Sequence, residues 1–89
     1  MNGRSLVARN VRRVRVTKGI SQERLAFDSG IDRSYLGGIE REAENPTVDL
    51  LERLAGTLEV PLAELFAEAG RVERNSAGLK RGRRRVRAG

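Results

Sequence analysis

The 89-residue sequence has no cysteine, no histidine and no tryptophan. Without cysteine, disulfide staples are excluded. Without cysteine or histidine, the soft ligands of a structural zinc are missing, and so are the common nucleophile–base pairs. No glycine-rich phosphate loop and no isolated pair of carboxylates stands out. The chain therefore reads as a non-enzyme with no metal and no cofactor. Apolar runs are short, far below the roughly 20 residues that span a bilayer. Nothing resembles a signal peptide. These absences point to a cytoplasmic protein of bacterial type with no membrane partner.

What is present is charge, unevenly distributed. The net charge is +6. Residues 1–24 hold seven basic groups against one acid, residues 25–70 three against ten, and residues 71–89 eight against one. The middle is acidic and both ends are basic. A basic end suits a polyanion partner, and equally it serves as a solubilising tail. A chain of this length has room for one core, which supplies only a few kcal/mol, so a second subunit would help it.

Apolar spacing predicts an all-α fold of five short helices. Val7, Val11 and Val14 form one stripe of a first helix over 5–18. Gly19 offers the left-handed residue that ends it. Ser21 caps a second helix over 22–29, with Glu23 in its first turn. Gly30 stops that helix, Ile31 follows as a buried plug, and Asp32 caps a third helix over 33–41. Leu36 and Ile39 give this helix its inner face. Thr47 caps a fourth helix over 48–58, with Leu50, Leu51, Leu54 and Leu58 inward. Pro61 opens a fifth helix over 62–69. Residues 1–70 thus form one domain. Residues 71–89, with the run RGRRRVR, have few apolar groups and are expected to be a flexible basic tail.

Two short helices joined at Gly30, the second with exposed polar residues at its start, are a way to present a helix to the major groove of DNA. The pattern R-x-x-x-G-I-S-Q-E-x-L-A, G-I-D-R-S-Y-L-G-G-I-E-R, N-P-T and L-x-R-L-A-x-x-L-x-V-P-L-x-E-L-F resembles the Cro and lambda-repressor type of helix-turn-helix domain, the xenobiotic response element family. The match runs from about Val7 to Phe66. The segment D-R-S-Y-L-G-G-I-E-R further resembles controller proteins of restriction–modification systems. The resemblance implies a compact five-helix lambda-repressor-like DNA-binding domain. It also implies a homodimeric transcription regulator acting on its own or neighbouring promoters, with RNA polymerase as a further partner.

Candidate DNA contacts follow from the residues. Gln22 at a helix start can donate to phosphate beside free backbone N–H groups. Arg33, first in the third helix, can bond O6 and N7 of guanine together. Ser34 reaches a base or a phosphate. Tyr35 either lies against sugar and phosphate or covers the core edge. Gly37 and Gly38 cost about 1 kcal/mol each inside a helix. Neither carries a side chain to read a base, which suggests close approach of the helix to the DNA backbone, or readout by Arg33 and Ser34 alone. The resemblance places Arg41, Asn45 and Thr47 near phosphates, with the carboxylate of Glu44 a departure from the pattern. Arg12 adds a phosphate contact or a solvated face. Arg15 and Glu40 resemble a partly buried structural ion pair that ties the first helix to the third.

Leu58, Leu62, Leu65 and Phe66 are candidates for a dimer surface. The first three also fit the core, and Phe66 is the better interface residue. A two-fold dimer reads inverted half-sites about one helical turn apart. The alternative is an antitoxin-like or adaptor module whose basic tail binds nucleic acid or an acidic partner nonspecifically.

Overall fold

A computed structural model of the chain describes residues 2–69. The expected tail at 71–89 lies outside the described residues. Among these, the chain forms four α-helices and one short 3-10 helix: α1 (Gly3–Thr17), α2 (Gln22–Ser29), α3 (Arg33–Glu40), α4 (Val48–Leu58) and the 3-10 helix Leu62–Phe66. The all-α architecture matches the sequence expectation.

Each boundary has a local cause. Asn2 Oδ1 accepts the Ser5 N–H at 2.8 Å, so α1 begins two residues before the expected start. Gly19 leaves it with φ +70°. Ser21 Oγ accepts the Arg24 N–H at 3.0 Å and Thr47 Oγ1 the Leu50 N–H at 3.1 Å, capping α2 and α4 at the expected positions. α3 stops at Glu40, with Arg41 as its C-cap.

The fifth helix differs from expectation. It is a five-residue 3-10 helix, where an α-helix over 62–69 was expected. Pro61 is its extended cap and not its first turn. The reason lies on α1. Asn10, fully buried, donates from Nδ2 to Leu65 O at 3.1 Å and to Ala67 O at 2.8 Å. Arg9 Nη2 also donates to Ala67 O, at 2.7 Å. Carbonyls that a longer helix would use internally are taken by α1 side chains. Arg13 completes this clamp with a 2.8 Å ion pair to Glu64.

The core gathers Val7, Val11 and Val14 of α1, Leu25 and Ala26 of α2, Ile31, Leu36 and Ile39 around α3, Leu51, Leu54, Ala55 and Leu58 of α4, and Leu65. α1 packs on α3 and the 3-10 helix, α2 on α3 and α4, and α4 on the 3-10 helix. Leu58 and Leu65 have no exposed surface. They fill the core of their own chain, which corrects their place among dimer-surface candidates. Leu62 is half-buried against the same core.

Candidate nucleic-acid interface

The joint between α2 and α3 is fixed by backbone bonds and one plug. Gly30 adopts φ +70°, which glycine accepts at no steric cost. The Ile31 N–H then reaches back to Ala26 O at 2.9 Å, closing α2 in the manner of a Schellman end. Ile31 itself is buried. Asp32 Oδ2 accepts the Tyr35 N–H at 3.1 Å and starts α3.

A second anchor holds the far end of α3. Arg15 on α1 forks onto Glu40: Nε to Oε2 at 2.8 Å and Nη2 to Oε1 at 3.0 Å. Its Nη1 donates to Ile20 O at 2.9 Å. The side chains of Arg15 and Glu40 are 13% and 4% exposed. The hydrogen bond to Glu40 raises the Arg15 pKa above its ordinary value; burial works against the rise, and the charge of Glu40 adds to it. The Arg15 guanidinium ties α1, α3 and the segment before α2 into one rigid corner.

Gln22 joins this corner. Its Nε2 donates to Glu40 Oε1 at 3.0 Å, and the residue is half-buried. One of its two amide hydrogens is thus committed inside the protein, and the other is left for the phosphate contact expected of it.

The outward side of α3 carries Arg33, Ser34, Gly37 and Arg41. Helical geometry puts Arg33, Gly37 and Arg41 in one i, i+4, i+8 row. Arg33 and Ser34 are exposed. Arg33 Nε lies 3.4 Å from Glu23 Oε2 on α2. The contact is made by Nε alone, and the Arg33 side chain is 56% exposed. Neither Gly37 nor Gly38 is bare surface. Both are buried: a Cβ on Gly37 would stand 3.1 Å from Arg41 Nη1, and one on Gly38 would stand 2.6 Å from Glu44 Cγ. Their surfaces are covered by the protein's own side chains, so direct approach of DNA to these glycines is corrected to contact with what lies over them.

The remaining candidates divide. Tyr35 is half-buried against the core and lines an open groove with Gly30, Ile31, Asp32, Leu50 and Arg53. Arg41, Asn45 and Thr47 are exposed. Thr47 caps α4, leaving its hydroxyl hydrogen to donate outward. Asn45 lies in a groove with Pro46, Val48 and Phe66. Arg12 is exposed and shares a shallow patch with Arg9, Arg13, Val16 and Thr17.

Three features went unnoticed in the sequence. Glu23 pairs with Arg33 only once the turn at Gly30 folds α3 beside α2. Asn10 carried a signal, since it falls within the apolar stripe of α1. Val48 is 61% exposed beside Phe66, which is 40% exposed, and an apolar residue in the first turn of a capped helix was a visible flag.

Among the described residues, four α-helices, with the second and third joined by a tight left-handed turn and the third offering a polar outer face, define a helix-turn-helix domain. The helix-turn-helix family profile matches residues 11–65. The chain is 44% identical over 75 residues to the HTH-type transcriptional regulator SlrR of Bacillus subtilis, across 82% of this chain and 49% of SlrR. The chain thus spans about half the length of that relative. Among solved structures, the hypothetical transcription factor NHTF from Neisseria superposes with a TM-score of 0.79 at 34% identity, covering 83% of this chain and 85% of that one. The restriction–modification controller protein C.Esp1396I, solved as a tetramer with its natural 35 base-pair operator, gives a TM-score of 0.68 at 38% identity, covering 74% and 87%. This chain belongs to the helix-turn-helix family.

Proposed function

We propose that the protein is a sequence-specific DNA-binding transcription regulator, working as a homodimer on inverted-repeat operators at its own or neighbouring promoters. The observation that carries this reading is the outer face of α3. It is braced from behind by Arg15–Glu40 and led by the exposed guanidinium fork of Arg33. Such a fork matches the O6 and N7 acceptors of guanine in the major groove. Relatives named as transcriptional regulators, and a similar controller protein solved on its operator, support it.

A dimer follows from the reading, because one short recognition helix specifies only a few base pairs. The surface best suited to a second copy is the patch of Phe66, Val48 and Pro46. It replaces Leu58 and Leu65, which are spent in the core.

The experiment is selection from a randomised duplex pool by the full chain. Enrichment of an inverted repeat, with affinity for it lost in Arg33→Ala, is the expected outcome. Equal binding to all duplexes would mean a nonspecific nucleic-acid binder.

A further inference from the structure

Arg41 lies at the end of α3, where a loop contact to phosphate is the simple expectation. Its side chain goes elsewhere. The guanidinium folds back one turn, so that Nη1 stands 3.1 Å from where a Gly37 Cβ would be. Gln22 Oε1 borders the same spot at 3.8 Å. Gly37 is the middle member of the outward row Arg33, Gly37, Arg41, and it is buried although it faces out. What buries it is the Arg41 guanidinium, together with Gln22.

The neighbouring position has the opposite charge. Glu44 lies over Gly38, its Cγ 2.6 Å and its Oε2 3.3 Å from the Cβ point there. A DNA phosphate approaching from this flank meets a carboxylate. The two glycines therefore seat two side chains side by side: a cation over the centre of the outward face and an anion at its edge. The anion disfavours backbone contact on that side, while the cation sits where base edges would pass.

We propose that Arg41 is a second base-reading arginine, seated on Gly37, so that two guanidinium forks read the site from one short helix. The proposal rests on the reading of α3 as the DNA-facing helix. Gly37 is about 6 Å from Arg33 along the helix axis at 1.5 Å per residue. A guanidinium over Gly37 thus reaches a base pair near the one that Arg33 reads. The apparent bareness of the helix is what permits this. A methyl at position 37 would press on the guanidinium at 3.1 Å, and a larger side chain would take its place.

The test uses the full chain and the duplex that the wild-type protein recovers from a randomised pool. Each base pair of that duplex is then substituted in turn, and affinities are measured for wild type, Arg33→Ala, Arg41→Ala, Arg41→Lys and Gly37→Leu. Arg41→Ala is expected to weaken the recovered duplex about a hundredfold, one contact in each half-site, and to abolish discrimination at one base pair of each half-site, distinct from the Arg33 position. Its affinity for random duplex should stay within about twofold. Arg41→Lys, which keeps the charge and loses the fork, should behave like Arg41→Ala. Gly37→Leu, by filling the place of the guanidinium, should lose discrimination at the same base pairs. The proposal is overturned if Arg41→Ala weakens all duplexes alike, lowers the salt slope by about two, one contact per half-site, and is rescued by lysine, the pattern of a phosphate contact. It is also overturned if Gly37→Leu leaves the Arg41 position intact. Loss of discrimination in Arg33→Ala with none in Arg41→Ala removes this inference and leaves the proposed function standing. No preference in the wild-type protein removes both.

Discussion

The inner and outer edges of α3 each carry an arginine–glutamate pair, and the two pairs do different jobs. At the inner edge, Arg15 and Glu40 are 13% and 4% exposed, joined by two bonds of 2.8 and 3.0 Å. At the outer edge, Arg33 and Glu23 are 56% and 69% exposed, with one contact of 3.4 Å. The chemistry is the same and the surroundings differ. A buried pair with its remaining donors satisfied cannot lose one member without stranding the other. An exposed pair is screened by water and contributes little to folding, so its arginine is free to leave for a better partner. Rigidity at the back of α3 and availability at the front come from burial alone.

The largest expected effect tests the inner edge. Glu40→Ala leaves the Arg15 guanidinium and the Gln22 amide without their shared acceptor. It should cost about 3 kcal/mol, read as a fall in the urea midpoint. A loss below about 1 kcal/mol would mean that water reaches the corner and that the pair is no anchor.

That difference should not change on the alkaline side. The folded pKa of Arg15 is raised. Its contribution is therefore complete below the unfolded value and is lost only as pH climbs through the folded one, above any working range. The stability gap between wild type and Glu40→Ala should be equal at about pH 7 and about pH 10. A gap that shrinks by pH 10 contradicts the assignment.

Next in size is the clamp on the other side of α1. Asn10→Ala removes two donors from the buried carbonyls of Leu65 and Ala67. About 2 kcal/mol of destabilisation is expected by thermal or urea unfolding. A neutral result would show the carbonyls finding water.

The smallest effect belongs to the outer edge. Glu23→Gln should change stability by less than about 0.5 kcal/mol. A larger cost would make Arg33–Glu23 a structural pair like the inner one and erase the contrast.

Much of this contrast was legible in the sequence, and the illegible part has a common cause. Caps announce themselves locally: Ser21, Asp32 and Thr47 each stand before a run of helical periodicity, and each accepts a backbone N–H where expected. Gly30 and Ile31 between two such runs fixed the turn. The fifth helix is present but shorter and tighter than its sequence suggests, because its end is set by Arg9 and Asn10, more than 50 residues earlier in the chain. Leu58 and Leu65 carried the right chemistry for either core or interface, and only packing chooses between them. The covering of Gly37 and Gly38 was hidden for a related reason. A glycine shows in the sequence as an absence, while the side chain that fills it sits four or six positions further on.

The central claim is that the outer face of α3 reads DNA sequence, with Arg33 foremost. The most direct measurement is an anisotropy titration of the wild-type chain and Arg33→Ala against two duplexes at one salt concentration, one recovered from a random pool by the wild type and one random. The expected result is a loss of about a hundredfold on the recovered duplex, corresponding to one bidentate contact in each half-site at about 1.4 kcal/mol apiece, and no change on the random one. Equal affinities of the two proteins for both duplexes would contradict the account.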